Sequence, residues 1–134
     1  KKFSDNMAEI VSQKATISRS GLKLYGTYDD EIGEDYYIAL GEKSTDIDPL
    51  LVFVALLQYQ ERIKVIVFVG VESRKIIKAS RIAKEISLQL GGTGGGGTDK
   101  FGQGGGRDKN KVQECLKNLD NLLTSIIDSS EKNG

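Results

Sequence analysis

The chain has 134 residues, with 19 basic and 19 acidic side chains, one cysteine and no histidine. That length suffices for one domain with a core of its own, without disulfide or metal staples. The absence of histidine excludes a Ser-His-Asp or Cys-His nucleophile and a zinc site of the Cys/His type, and a lone cysteine excludes an internal disulfide.

The neutral total conceals an asymmetry. Residues 29–48 carry eight acidic and one basic side chain, whereas residues 71–111 carry nine basic and four acidic. On charge alone these read as two solvated faces. No N-terminal stretch resembles a signal peptide, and the longest apolar run, Pro49 to Leu57, is too short to cross a bilayer, so a cytoplasmic location is expected. The chain starts at Lys1 rather than at methionine, which suggests a piece of something longer.

Residues 1–15 read as the last turns of an amphipathic helix with Phe3, Met7, Ile10 and Val11 at helical spacing. This helix is expected to continue from upstream and to be weakly anchored without its partner. The domain reading is therefore residues 1–19 as the end of an upstream helix or linker and residues 20–134 as the domain proper. Ser20-Gly21 punctuates, and Leu22 to Tyr28 predicts a strand. Asp35 to Lys43 predicts a short helix, although Tyr36, Tyr37 and Ile38 leave a strand open. Asp48-Pro49 breaks the chain. The runs at 50–57 and 63–69 are continuously or nearly continuously apolar, which fits two central strands buried on both faces and joined by a turn within Gln58 to Arg62.

From Glu72 to Leu90 the period becomes helical, with an apolar stripe of Ile76, Ala79, Ala83, Ile86 and Leu90 and a basic stripe of Arg74, Lys78 and Arg81. Gly91 and Gly92 suit its C-cap. Asp108 is positioned to cap a last helix over 109–127, whose seam runs through Val112, Cys115, Leu116, Leu119, Leu122, Leu123, Ile126 and Ile127. Cys115 falls on that seam as a small core residue. The tail SSEKNG is expected to fray. The fold class is α/β: a small central sheet packed by helices, with a glycine-rich loop between the last two.

That loop, GGTGGGGTDKFGQGGGR from Gly91 to Arg107, holds ten of the sixteen glycines. Lys100, Phe101, Gln103 and Arg107 are interleaved with them and a helical pattern flanks each side, whereas flexible linkers are Gly/Ser runs between domains. A binding loop is the better reading, and anions are its default ligand because glycines let backbone N–H groups approach closely. Gly92-x-Gly94-x-x-Gly97 fits a dinucleotide fingerprint only on paper, since it follows a helix instead of a strand. Gly92-x4-Gly97 matches the glycines of a P-loop, but Thr98-Asp99 stands where Lys-Ser/Thr is required.

A helix ending in Leu90-Gly91-Gly92, followed by Gly94-Gly95-Gly96-Gly97, then Gly102-Gln103-Gly104-Gly105 and a closing amphipathic helix, resembles the C-terminal domain of alanyl-tRNA synthetase. That domain is of the DHHA1 type, also appended to DHH-type phosphoesterases. The resemblance covers about residues 20–127. It implies a non-catalytic module without a cofactor or metal of its own, which grips the outer corner of alanine transfer RNA in support of aminoacylation and editing. The ATP-binding and editing domains would lie upstream, and the parent could dimerise while this piece stays monomeric. The phosphoesterases place a histidine after their three glycines; here Thr98 and Arg107 follow the clusters, so that catalytic branch is not expected.

The RNA-binding set this implies is Gly94, Gly95, Gly96, Gly97, Lys100, Gln103, Gly104, Gly105, Gly106 and Arg107, with Lys78 and Arg81 extending the positive surface. Each has a plainer reading. Lys100 and Arg107 touch phosphate or are ordinary surface charge, and Gln103 bonds a base edge or closes the loop. Lys78, Arg81 and Lys84 extend the site or form a solvated helix face. Phe101 stacks on a base or pins the loop to the core. Three rivals remain: the same module on a free-standing deacylase of mischarged alanine transfer RNA, an oligomerisation module that pairs chains through the seam of the last helix and the truncated N-terminal helix, and a nucleotide-dependent enzyme.

Overall fold

Two apolar segments form the centre of a six-stranded sheet: β3 (Leu51–Tyr59) and β4 (Arg62–Val69), paired antiparallel from Val52 opposite Val69 to Tyr59 opposite Arg62. The computed structural model describes the backbone of residues 2–133 and the side chains of residues 6–129. Only two residues, Gln60 and Glu61, separate the strands, and Gln60 takes a left-handed φ of 52° to make the reversal. β2 (Lys23–Asp29) lies parallel to β3. Parallel neighbours cannot be joined by a tight turn, and α2 (Glu34–Ile47) supplies the crossover between them. β1 (Thr16–Ile17) pairs with the outer side of β2, and beyond β4 lie β6 (Phe101–Gly106) and then β5 (Gly96–Gly97), giving the order β1-β2-β3-β4-β6-β5.

Helices cover both faces. On one, α3 (Ala79–Gln89), α4 (Val112–Lys117) and α5 (Leu119–Asn133) bury Ile82, Ile86, Cys115, Leu119 and Leu123 against Val52, Val54, Val65 and Val67. On the other, α1 (Lys2–Lys14) and α2 bury Ala8, Val11, Tyr37 and Leu40 against Phe53, Ala55, Ile66 and Phe68. Coverage of both faces is the physical reason why β3 and β4 lack the polar alternation of a half-exposed strand. The α/β class, the central pair and the two covering helical segments match the sequence reading.

Four details differ from it. The helix expected over 72–90 begins only at Ala79, after a 3-10 turn at Ser73–Lys75. The amides of Glu72 and Ser73 are drawn to the carbonyl of Pro49, and the Ser73 hydroxyl donates to the carbonyl of Leu50 at 2.7 Å, which holds this stretch on the loop before β3. Ile76 is consequently 49% exposed, and Ile77 takes the core position. The helix expected over 109–127 is broken at Asn118, and Asp108 makes no side-chain cap bond. The break seats Leu119 in a notch at Gly26, where a β-carbon would collide with the leucine side chain.

The third difference is at the N-terminus. α1 is held firmly: Ala8 and Val11 are fully buried, and Ser12 donates to the Asp48 carboxylate, which also receives the Lys23 ammonium. The Phe3 side chain lies outside the described residues. At the other end the backbone stays helical to Asn133, while the side chains of 130–134, on which the expectation of a frayed tail mostly falls, are likewise outside them. The fourth difference is that the glycine-rich segment is not a free loop: residues 101–106 form β6, an integral strand bonded to β4.

Candidate nucleic-acid interface

The segment after α3 is shaped by how closely that helix lies on β6. α3 ends in a Schellman turn in which the Gly92 amide donates to the Ser87 carbonyl at 2.8 Å and the Gly91 amide to Leu88 at 3.2 Å, with Gly91 at φ 79°. The start of α3 is tied to the β5–β6 turn, because the Ala79 and Ser80 amides donate to the carbonyls of Asp99 and Thr98. Between these two anchors Gly102, Gly104 and Gly106 face the helix. A β-carbon at each would strike the Ala79 carbonyl, the Ser87 hydroxyl and Leu90 respectively. Gly95 and Gly97 in turn lie against the main chain of β6, and only Gly96 faces open space. Most of the glycine density thus answers to helix-on-strand and strand-on-strand approach.

Phe101 stacks on Phe68 at a centroid distance of 4.6 Å and an interplanar angle of 25°, so it is the anchor and not a free base-stacking ring. Gln103 is exposed on the same face of β6.

Between the far end of β6 and the β3–β4 turn opens a groove of about 870 Å³. Tyr59, Arg62 and Lys64 line one side, and Gly92, Thr93, Gly104 to Gly106 and Arg107 the other. Its one acidic lining residue, Glu61, is held by Lys109 at 3.1 Å. Lys64 lies 3.7 Å from Glu34. Arg62 and Arg107 are exposed and, among the described residues, have no carboxylate partner. The groove therefore carries uncompensated positive charge beside glycine backbone that is partly exposed at Gly104 and Gly105 and buried under Leu90 at Gly106.

The expected site residues separate into two groups. Gly104, Gly105, Gly106 and Arg107 meet at the groove. Lys78, Arg81 and Lys100 gather at the opposite end of β6, roughly 20 Å away by strand rise, with Gly94 to Gly97 strung along the outer edge between them. Each of those three cations is already paired: Lys78 with Asp99 at 3.6 Å, Arg81 with Glu85 at 3.3 Å and Lys100 with Glu42 at 3.3 Å. Tyr59 and Arg62 escaped the sequence reading because they terminate apolar runs and look like turn residues. An exposed aromatic beside an arginine at a hairpin tip was the available signal.

Residues 34–125 match the model of the DHHA1 domain, which spans α2 to α5 and the whole groove. The chain is 34% identical over 96 residues to the alanine–tRNA ligase of Nitrosopumilus maritimus, covering 72% of this chain and 10% of the ligase. It is 33% identical over 106 residues to that of Rickettsia canadensis, covering 79% and 12%. The chain thus spans only about a tenth of the ligases it matches. The C-Ala domain of Aquifex aeolicus alanyl-tRNA synthetase superposes with a TM-score of 0.72 at 22% identity, covering 81% of this chain and 95% of that domain, which supports the shared fold. With the family model matched over more than half the chain and the sheet order and glycine packing explained by the same stretch, this chain belongs to the DHHA1 domain family.

Proposed function

We propose that the chain is the transfer-RNA-binding C-terminal domain of an alanine–tRNA ligase, non-catalytic by itself and acting in the cytoplasm. In this reading it holds the outer corner of alanine transfer RNA while upstream domains aminoacylate and edit. The observation that carries the RNA-binding part is the pair of uncompensated arginines, Arg62 and Arg107, on a groove floored by glycine backbone. Guanidinium groups bind phosphate with directed, charge-assisted bonds, and a strand without side chains lets a sugar-phosphate chain approach the main chain. Lys78, Arg81 and Lys100 contribute only weakly, since carboxylates already neutralise them. The parent's activity enters through the names of the relatives, alanine–tRNA ligases. Among the described residues no helix is long and apolar enough to cross a membrane.

The test is an anisotropy titration of wild type and Arg107→Ala against folded alanine transfer RNA and an unstructured RNA of equal length. Affinity should fall with rising salt with a slope of about two or three released counterions. The folded RNA should bind more tightly, and Arg107→Ala should lose roughly tenfold or more, as for one charge-assisted contact. Equal binding of the two RNAs together with an indifferent variant would reduce the groove to a connector.

A further inference from the structure

We propose that Tyr59 is a stacking platform for an unpaired nucleobase, with Arg62 and Arg107 on the phosphates at either side of it. The groove would then take a single-stranded or loop nucleotide rather than the flank of a duplex. This inference rests on the RNA-binding reading above and names the part of the RNA it engages.

The first observation is exposure out of keeping with position. From Leu51 to Leu57, β3 is the most deeply buried strand, yet two residues later Tyr59 is 60% exposed. The second is that every other tyrosine is occupied. Tyr25 stacks on Phe53, Tyr28 donates to Gln58, Tyr36 and Tyr37 meet edge to face, and Tyr37 donates to Asp29. Among the described residues Tyr59 alone of the five has neither a ring contact nor a hydroxyl partner. Phe101, the other aromatic near the glycines, is spent on Phe68.

The third observation is placement. Tyr59 and Arg62 are directly paired across the hairpin, so their side chains leave the same face of the sheet, the face that also carries Lys64 and its partner Gly105. An aromatic ring, guanidinium groups and bare glycine backbone are thereby brought together in one groove. Its volume of about 870 Å³ lies in the range of small-molecule sites. Every base offers a π-face, and stacking on an aromatic side chain with cations at the backbone is the general physics of single-strand binding. Within an A-form duplex the bases are paired and stacked on one another, so only unpaired nucleotides in loops, bulges and overhanging ends offer a free base.

The chain contains no tryptophan, so Tyr59→Trp introduces a single fluorescent reporter at the platform. The full chain is titrated with a hairpin RNA bearing an unpaired loop and with a blunt duplex of equal charge. The hairpin should quench the emission of Tyr59→Trp and the duplex should not. Tyr59→Leu should bind the hairpin about tenfold more weakly, as expected for one lost stack, with duplex affinity unchanged, and Tyr59→Phe should retain the wild-type preference. If Tyr59→Leu keeps wild-type affinity for both RNAs, or if duplex and hairpin quench equally, the stacking platform is overturned. Arg107→Ala keeps the two readings apart: its weakening of both RNAs while Tyr59→Leu is silent would leave RNA binding standing and remove only the stack. Should Tyr59→Leu fold poorly, the quenching of Tyr59→Trp decides by itself.

Discussion

Ser87 and Gly104 are in mutual steric contact at the centre of the α3–β6 interface. The fully buried Ser87 hydroxyl donates to the Ala83 carbonyl at 2.7 Å and accepts the Gly105 amide at 3.1 Å, and a β-carbon on Gly104 would occupy the space of that oxygen. One side chain of the helix thus satisfies the strand's main chain only because the strand has none of its own at that point.

Gly104→Ala should destabilise the fold by roughly 1–3 kcal/mol through overpacking. Because the worst collision is with Oγ, the double variant with Ser87→Ala should lose less than the sum of the two single losses. Urea denaturation of the four proteins gives the coupling energy directly. Strict additivity would show that the interface relaxes and that the two residues are not coupled.

Lys23, Ser12 and Asp48 tie β2, α1 and the end of α2 together. Burial by itself pushes the Asp48 carboxyl up, but the hydrogen bonds from Lys23 and Ser12 and the lysine charge outweigh it and hold the pKa below the ordinary 3.8. A carboxylate whose folded pKa is depressed contributes stability that is full above its unfolded pKa and is lost as the pH falls through the folded value. Stability should therefore decline below about pH 4. Asp48→Asn should cost about 1.5–3 kcal/mol at pH 7, as for hydrogen bonds to a charged group, and should flatten the acid limb of the stability curve. An unchanged acid limb in the variant would place the acid sensitivity elsewhere.

Leu123 is fully buried among the residues that α5 presses on the sheet. Leu123→Ala should cost about 2–5 kcal/mol, read from the shift in denaturation midpoint at constant m-value. A loss well under 1 kcal/mol would mean that the seam of α5 is not part of this domain's core.

Removing charge should act unevenly on RNA binding. Arg62→Ala and Arg107→Ala should each flatten the salt dependence by about one counterion. Lys78→Ala and Lys100→Ala should change it by much less, since Asp99 and Glu42 already neutralise those lysines. Equal effects at all four positions would indicate a diffuse electrostatic surface in place of a groove.

Periodicity alone determined the class of the two central strands and of the last helical segment. The unbroken apolar run from Leu51 to Leu57 can be satisfied only by cover on both faces, and the seam from Val112 to Ile127 only by packing one side of a helix. The Gly91 C-cap was equally legible, because a left-handed residue at a helix end is a local requirement. Tertiary structure decided what no local rule contains. The carbonyls of Pro49, Thr98 and Asp99 hold the approach to α3 and its first turn, and just after the break in the last helix Leu119 packs where Gly26 has no side chain. The glycines of β6 illustrate the difference most clearly: their number suggests a ligand, but their alternation at 102, 104 and 106 is dictated by a helix lying on the strand. The groove, too, belongs to the tertiary level. Tyr59 and Arg107 are far apart in the chain and become neighbours of one cavity only because β6 pairs with β4 in a register that no single segment encodes.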